Sequence, residues 1–374
     1  MPEPFAPSRA HGLALAADLA AWYSVHARRL PWRVPPGGEG RPDPYRTMVC
    51  EIILQQTTVA VGRARVPAFL DRFPTVESLA HASWAEVSEA WAGLGYYARA
   101  RRLQEAARLA LARHGGVPTD EAALRDLPGV GPYTAAAVAA FAGGAPAVVV
   151  DGNVERVMAR VHAISTPLPK ARKALWAAAA AATPEQGAGD HAQALMDLAA
   201  SICRPRAPSC LICPIRAHCA AGLAGDPDAY PVRPVKKAKP HRVGICYVAW
   251  DGEEGVWVER RPDTGLLPGT LGFPGGAWVE EGEPDALPPA PADWRVAGRV
   301  RHTFAHFHLE LVVWAARLDK DTPVSDRLEK ASLRADRSLP GQASVFAKVW
   351  ETARLALAKG PDGTHLEKAS VPSA

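Results

Sequence analysis

The stretch LPGVGPYTAAAVAAFAGGAPAVVVDGNVERV (127–157) places a single aspartate, Asp151, directly after three valines. A carboxylate in so apolar a context is costly to bury unless a partner or a function uses it. The stretch also holds a Gly-x-Gly turn, Gly129 and Gly131, between two segments with helical spacing, 119–126 and 133–141. Backbone N–H groups at the start of the second helix suit a phosphate oxygen, although the turn taken alone is better explained as a plain helix connection.

A cluster of four cysteines lies further along the chain, with six, two and five residues between them: Cys203, Cys210, Cys213 and Cys219. Four thiolates in one compact loop suit a 4Fe–4S cluster or a structural zinc ion, and the residue types alone do not choose between them. Three nearby arginines, Arg204, Arg206 and Arg216, would compensate the charge of such a site or contact phosphate. The isolated Cys50 and Cys246 lie in apolar contexts typical of core packing.

Length and composition describe a globular chain. Its 374 residues are enough for two domains, and 22% charged residues is typical of folded proteins. No apolar run reaches the roughly 18 residues that span a bilayer, and the N-terminus lacks the basic and apolar regions of a secretory signal. We therefore expect no membrane association and a cytoplasmic location, at the nucleoid in a bacterium. The net charge of +4 alone says little about nucleic acid.

The character of the sequence changes near residue 220. Residues 1–220 show mainly helical spacing, and 221–241 form a basic, proline-rich stretch that reads as a linker. Within 242–357, RVGICYVAWDGEEGVWVERR predicts a hairpin, RVAGRVRHTFAHFHLELVVWAARL predicts two more strands, and SVFAKVWETARLALAK predicts a closing helix. The sequence thus predicts a mainly α-helical domain, then an α+β domain, with a disordered tail over 358–374.

Three features together resemble the helix-hairpin-helix DNA glycosylases that carry an iron–sulfur cluster. They are the helix–LPGVGPYT–helix segment, an aspartate about twenty residues later, and the C-x6-C-x2-C-x5-C loop. That superfamily includes endonuclease III and the MutY-type adenine DNA glycosylases, and LPWR, DPYRTMVCEIILQQTTV, GLGYYARAR and VDGNVERV look like the MutY branch. The resemblance implies a helix-hairpin-helix glycosylase domain with a 4Fe–4S loop (203–219), and a Nudix-like α+β domain over 242–357.

The resemblance assigns the chemistry to two carboxylates. Glu51 stands where the MutY branch has the acid that protonates adenine N7 and then activates water, and an apolar helix around it would raise its pKa. Asp151, which also suits the N-cap of the next helix, would stabilise or transiently trap the sugar cation, as in glycoside hydrolysis. Tyr133 and Asn153 are placed by resemblance to hydrogen-bond this site. Tyr133 replaces the Schiff-base lysine of bifunctional relatives, which implies a monofunctional enzyme.

Other residues are carried over as DNA contacts, because the target base must leave the duplex to reach such a pocket. The expected contacts to the flipped adenine are Arg33 and Leu54. The residues expected to wedge into the base stack are Gln56 and Tyr96, with Thr57 and Leu94 nearby. The backbone at Gly129 and Gly131 is expected to contact a DNA phosphate. One of the adjacent Tyr96 and Tyr97 is expected in the core instead.

For the second domain, the resemblance implies recognition of 8-oxoguanine through one loop, with Phe304, Ala305 and His306. Ala305 stands where the family commonly has a hydroxyl residue, so we expect a blunted preference for 8-oxoguanine over guanine. The Nudix hydrolase motif fails at Pro289, so hydrolase activity is not expected. The histidines at 302, 306 and 308 are interpreted as the polar face of a strand rather than as a metal site.

The predicted function is removal of adenine mispaired with 8-oxoguanine or guanine in double-stranded DNA, by a monomer with a 4Fe–4S cluster. One alternative is an endonuclease III-like glycosylase/lyase for oxidised pyrimidines, but Tyr133 and the second domain argue against it. A non-catalytic iron–sulfur DNA-binding protein and a zinc-ribbon transcription factor both leave Glu51 and Asp151 without a role.

Overall fold

The structure is a computed structural model that describes residues 7–234, 238–253, 255–262, 266–319, 321–333, 339 and 342–358. Two compact units make up the chain: one from the described parts of 1–90 and 99–235, the other from those of 91–98 and 236–374. Residues 235–237 of the predicted linker and the predicted tail from 359 onward lie outside the described residues. None of the described helices is both long and apolar enough to cross a membrane.

Residues 7–234 fold into helices, as their periodicity predicts, and contain no strand. The α-helices in chain order are α1 (Arg9–His26), α2 (Pro44–Leu54), α3 (Val59–Arg72), α4 (Val76–His81), α5 (Trp84–Ala90), α6 (Tyr97–His114), α7 (Glu121–Arg125), α8 (Pro132–Val138), α9 (Gly152–Val161), α10 (Arg172–Ala182), α11 (Ala188–Ser201) and α12 (Ala220–Ala224). Helices α1, α9, α10 and α11 share one apolar core, in which Leu19, Met158 and Leu198 are fully buried. This core holds α9 and α11 in place.

The predicted Gly-x-Gly hairpin joins α7 to α8. Gly129 adopts a φ of +76°, and a Cβ there would lie 2.8 Å from the Cβ of Arg102, so the turn requires glycine. Gly131 is the N-cap of α8 and Pro132 its first residue. The sequence did not indicate how α8 ends: it continues into a π-helical turn, Ala139–Gly143, that stops at a left-handed Gly144.

The second unit contains a six-stranded sheet. Its strands are β1 (His241–Trp250), β2 (Gly255–Arg260), β3 (Leu271–Gly272), β4 (Arg295–Thr303), β5 (His308–Arg317) and β6 (Leu328–Ser332), in the order β3-β2-β1-β5-β4 with β6 also on β2. The closing helix α13 (Ser344–Ala358) packs on the sheet through Phe346, Val349 and Trp350. The predicted hairpin, strand pair and helix are confirmed; β3, β6 and the parallel pairing of β1 with β5 were not predicted.

Candidate active site

Glu51 lies on the buried face of α2. The helix begins at the N-cap Asp43, whose side chain accepts from the Arg46 N–H, with Pro44 at the first position. Helix α2 is buried on nearly all sides, with Met48, Val49 and Ile53 fully enclosed, so Glu51 is only 9% exposed. The Tyr133 hydroxyl on α8 donates to Glu51 Oε2 at 2.6 Å. Burial raises the pKa of Glu51, as the sequence predicts, although the Tyr133 hydrogen bond and the Arg33 charge oppose the rise.

Asp151 is the N-cap of α9, which confirms the cap predicted from the sequence. Its Oδ1 accepts from the backbone N–H groups of Asn153 (2.9 Å) and Val154 (2.8 Å). The Asn153 side chain donates to Oδ2 at 2.7 Å, and Arg156 in turn donates to Asn153 Oδ1 at 3.2 Å. Both oxygens of Asp151 are therefore oriented by the helix that follows it.

One pocket of about 400 Å³ in the first unit brings most of the predicted site residues together. The predicted residues in its wall are Arg33, Glu51, Leu54, Thr57, Tyr133, Asp151 and Asn153. Gln56, Gly129 and Gly131 belong to the same unit but are not among the residues that line it. The pocket therefore collects the predicted acid, the predicted second carboxylate and the predicted adenine contacts.

Sequence reasoning missed several polar residues of this wall. Gln193 on α11 lines the pocket and is 8% exposed, and its Oε1 has no hydrogen-bond partner among the described residues. Arg28 also lines it, and both Arg28 and Arg33 bind the carboxylate of the buried Asp197. The regular spacing of α11 shows a buried helix but not which distant arginines its polar residues meet, so no local signal identified them.

The predicted wedge residues occupy tight turns. Gln56 is exposed and has a φ of +57°, in the turn after α2. Tyr96 is 57% exposed with a φ of +48°, whereas Tyr97 is buried, which confirms that one of the two tyrosines belongs to the core. Leu94 is also buried. The DNA contacts of Gln56, Leu94 and Tyr96 remain predictions.

The four cysteines of the predicted loop are all free thiols and line one small cavity. Cys203 follows α11, Cys210 begins a 3₁₀ turn, Cys213 ends that turn, and Cys219 is the N-cap of α12. Apolar residues such as Val157 and Ile215 complete the cavity. Burial raises the pKa of the Cys213 thiol to about 11, and the three other cysteines add to the rise. Four mutually close, half-buried thiols fit a group that takes all four as thiolates.

Arg160 of α9 supplies the charge beside these sulfur atoms. It is 1% exposed, and its Nη1 donates to Cys203 Sγ at 3.3 Å and to the Arg204 carbonyl at 2.7 Å. Its Nε donates to the carbonyls of Pro227 and Tyr230, so one side chain joins the start of the loop to the segment that follows α12. The sequence pointed to Arg204, Arg206 and Arg216, which are exposed, and gave no prediction for this buried arginine. Its spacing of four from Arg156, on one helix face, was the available signal.

The predicted recognition loop joins β4 to β5 in the second unit. The Phe304 ring packs against Phe307 (4.8 Å between centroids) and Trp278 (5.8 Å), and its carbonyl accepts from Lys239 Nζ at 2.8 Å. Ala305 and His306 are exposed at the tip. The prediction of one polar strand face was wrong for His306, because the chain turns there and the flanking His302 and His308 lie on different strands.

Comparisons with known proteins agree with this geometry. Residues 49–180 match the model of the HhH-GPD superfamily base excision DNA repair proteins, and residues 245–356 match the NUDIX domain. The human adenine DNA glycosylase is 34% identical in an alignment 373 residues long, which covers 83% of this chain and 68% of the human protein. The chain belongs to the adenine DNA glycosylase family.

Further relatives support this family assignment. The adenine DNA glycosylase of Mycolicibacterium smegmatis is 40% identical over 222 residues, covering 59% of this chain and 73% of that protein. The structure of a thermostable thymine-DNA glycosylase superposes with a TM-score of 0.52 at 32% identity, over 57% of this chain and 98% of that one. The predicted fold class is thereby confirmed, as is the predicted enzyme class, a DNA glycosylase of base excision repair.

Proposed function

We propose that the chain removes adenine paired with 8-oxoguanine or guanine in double-stranded DNA, by hydrolysis of the N-glycosidic bond and without cutting the strand. The observation that carries the proposal is the joint placement of two carboxyl groups in one pocket. Glu51 is buried and accepts a hydrogen bond from Tyr133, and Asp151 accepts hydrogen bonds from the N-terminus of α9. Adenine as the released base follows from the relatives, which are adenine DNA glycosylases, and the opposite 8-oxoguanine or guanine follows from the resemblance to the MutY branch.

Glu51 is the proposed general acid. Because burial raises its pKa, the carboxyl group keeps its proton to a higher pH than a surface glutamate does. Tyr133 donates to Oε2, so Oε1 is the oxygen that can carry the transferable proton. Adenine N7 is an acceptor, and its protonation turns a poor anionic leaving group into a neutral one. The same carboxylate then takes a proton from the attacking water.

Asp151 is the proposed partner for the sugar. As the glycosidic bond breaks, positive charge develops at C1′ and a carboxylate beside it stabilises that charge. The hydrogen bonds from α9 fix Asp151 before substrate arrives, so no reorganisation is needed during the reaction. Asparagine at this position would keep the cap but not the charge.

Gln193 is a candidate for reading the base. Its Oε1 is buried in the pocket wall without a partner among the described residues, which costs free energy until a donor arrives. The exocyclic amine of adenine is such a donor, whereas guanine and thymine present a carbonyl oxygen at the corresponding ring position. A site that leaves an acceptor unpaired with the wrong base discriminates strongly.

The four cysteines are proposed to hold a 4Fe–4S cluster. The choice of a cluster over zinc comes from the resemblance to the iron–sulfur DNA glycosylases, because four thiolates alone suit either group. When bound, the cluster supplies a rigid, negatively charged anchor for the loop. Arg160 balances that charge from the protein side.

The loop with Ala305 and His306 is proposed to read the base opposite adenine. Phe304 is held by its aromatic neighbours, which leaves the exposed tip residues for contact. Ala305 offers no hydroxyl, so Ala305→Ser should raise the ratio of rates on 8-oxoguanine and guanine mispairs by a few-fold, roughly the value of one neutral hydrogen bond. An unchanged ratio would contradict this reading of the loop. We further propose that the enzyme acts as a monomer at the nucleoid or its equivalent.

Single-turnover release of adenine from a duplex with adenine opposite 8-oxoguanine tests the proposal. We expect abasic product that breaks only after hot alkali, and we expect Asp151→Asn to bind the mispair but release no base. Breakage without alkali would reveal a lyase nucleophile, and an active Asp151→Asn enzyme would remove Asp151 from the mechanism.

A further inference from the structure

Asp197 of α11 is the most completely buried carboxylate beside the pocket, with 1% of its side chain exposed. Its Oδ2 accepts from the backbone N–H of Arg28 at 2.8 Å. Its Oδ1 accepts from Arg28 Nε at 2.7 Å and from Arg33 Nη1 at 2.8 Å. Two segments more than 160 residues apart in sequence therefore meet at one carboxylate.

A buried ion pair of this kind is weak evidence for stability, because desolvation of the charges offsets most of their attraction. A well-packed apolar residue would serve the fold at least as well. Both arginines bound to Asp197 line the active-site pocket, and Arg33 is close enough to Glu51 to act on its ionisation. The arrangement is therefore better explained by what it does to the pocket than by what it does for folding.

We infer that Asp197 is a positioning residue of the active site, which holds the Arg33 guanidinium in the pocket wall and balances its positive charge beside Glu51. The inference rests on the proposed function, because it concerns the proton that Glu51 transfers. Arg33 can then bind the substrate without stripping that proton from the acid.

The charges around Glu51 set the direction of the effect. The groups that act on its ionisation are Arg33, Tyr133 and Asp151, with Cys50 beside it in α2; the other ionisable residues of the pocket wall are Arg28, Arg41 and Asp190. Arg33 favours the carboxylate form and so lowers the pKa of Glu51. The Asp197 carboxylate, hydrogen-bonded to Arg33, weakens the effect of Arg33 on the pKa of Glu51. Removal of the Asp197 charge leaves the Arg33 charge uncompensated where water screens it little.

The test is the pH dependence of single-turnover adenine release by Asp197→Asn. Asparagine has nearly the same size and can still accept from the Arg28 N–H, but it carries no charge. Activity requires protonated Glu51, so the rate falls as pH rises through its pKa. We expect this alkaline limb to move to lower pH by about one unit, with a rate on the acid side within a few-fold of the unsubstituted enzyme.

Arg33→Gln and the double variant complete a cycle. Arg33→Gln should move the limb upward, and the double variant, which removes both charges, should return it close to its original position. Only the position of the limb is compared, because Arg33 lines the pocket and its loss lowers the rate itself. If Asp197→Asn does not fold, Arg33→Gln and the double variant still differ in the predicted direction, and the absence of that difference overturns the inference.

A purely structural role of Asp197 gives a different result: Asp197→Asn lowers the rate at every pH and leaves the limb where it is. Glu86→Gln is the matched control, because it neutralises an exposed carboxylate that pairs with Arg72 in the same unit, and it should leave the limb in place. Absence of adenine release by the unsubstituted enzyme refutes the proposed function, whereas normal release with an unmoved limb in the cycle refutes only the role of Asp197.

Discussion

Helix α9 serves two sites that differ in construction. Its N-terminus carries Asp151 into a pocket of about 400 Å³ with both polar and apolar walls, whereas on its body Arg160 lines the small, apolar cavity of the cysteine loop and Arg156 donates to the Cys203 carbonyl. At the pocket, the polar side chains retain atoms for a substrate. At the loop, the two arginines donate to backbone carbonyls, to one sulfur atom and to the side chains of Asn153 and Asp228. The pocket is therefore suited to binding and releasing a substrate, whereas the loop is suited to holding a permanently bound group.

The difference predicts that substitutions in the pocket change chemistry and those at the loop change stability first. The two regions are nevertheless connected, because Arg156 donates both to the Cys203 carbonyl (2.9 Å) and to Asn153, the partner of Asp151. Substitutions in each region, and between them, can test how far this division holds.

The largest effect is expected in the pocket, from Glu51→Gln. The amide cannot donate an acidic proton, so single-turnover adenine release should fall by about a thousandfold or more. The melting temperature should not decrease, because the substitution removes a buried ionisable group that burial already disfavours in its charged form. A strong loss of stability with this variant would mean that Glu51 also holds the fold together.

Cys213→Ala should affect stability first, in contrast to Glu51→Gln. We expect loss of the iron–sulfur absorbance and a melting temperature lower by several degrees, with roughly a hundredfold less active enzyme, because metal binding contributes directly to folding. Cys246→Ala, which removes a buried cysteine outside the loop, is the control and should retain the absorbance. An unchanged spectrum in Cys213→Ala would contradict the assignment of this residue as a ligand.

Arg156→Lys tests the connection between the two regions. Lysine keeps the charge but loses the planar fork that reaches Cys203, Ala199 and Asn153 at once. We expect adenine release about tenfold slower with normal iron content, because Asp151 loses part of its support. Arg172→Lys, at an exposed arginine of α10 that pairs with Glu155 of α9, should change neither quantity. Equal rates for the two variants would show that the regions act independently.

The smallest effect is expected from Tyr133→Phe. The Tyr133 hydrogen bond lowers the pKa of Glu51, so its loss raises that pKa, and the alkaline limb of the rate should move to higher pH. The rate at the optimum should fall only a few-fold, since the acid itself remains. This shift is opposite in sign to that expected for Asp197→Asn, and a downward shift would mean that Tyr133 stabilises the protonated acid instead.

The helices, the cap at Asp151 and the burial of Glu51 could be predicted because each depends on residues within a few positions of it. Asp197 with Arg28 and Arg33 could not, since those hydrogen bonds join segments 164 and 169 residues apart. Local spacing shows that a residue faces the core, but it does not identify the element that packs there.

The strands of the second unit show the same limit of local spacing. Alternation predicted β1, β2, β4 and β5, but the parallel register of β1 with β5 depends on topology rather than on pattern. The edge strand β6, with the sequence LEKAS, has too few apolar residues to show alternation. The loop itself was predicted, but His302, His306 and His308 were interpreted as one strand face because their even spacing continues through the turn.

A thiol forms part of the pocket wall: Cys50 lies next to Glu51 in the sequence and lines the same cavity. Burial raises the pKa of Cys50 far above its usual range, and its side chain is almost wholly enclosed. Peroxide and electrophiles attack the thiolate and not the protonated thiol. An enzyme whose proposed substrate arises from oxidised guanine thus keeps a cysteine beside its acid in a form that the same oxidants attack poorly, and alkylating reagents should modify it last.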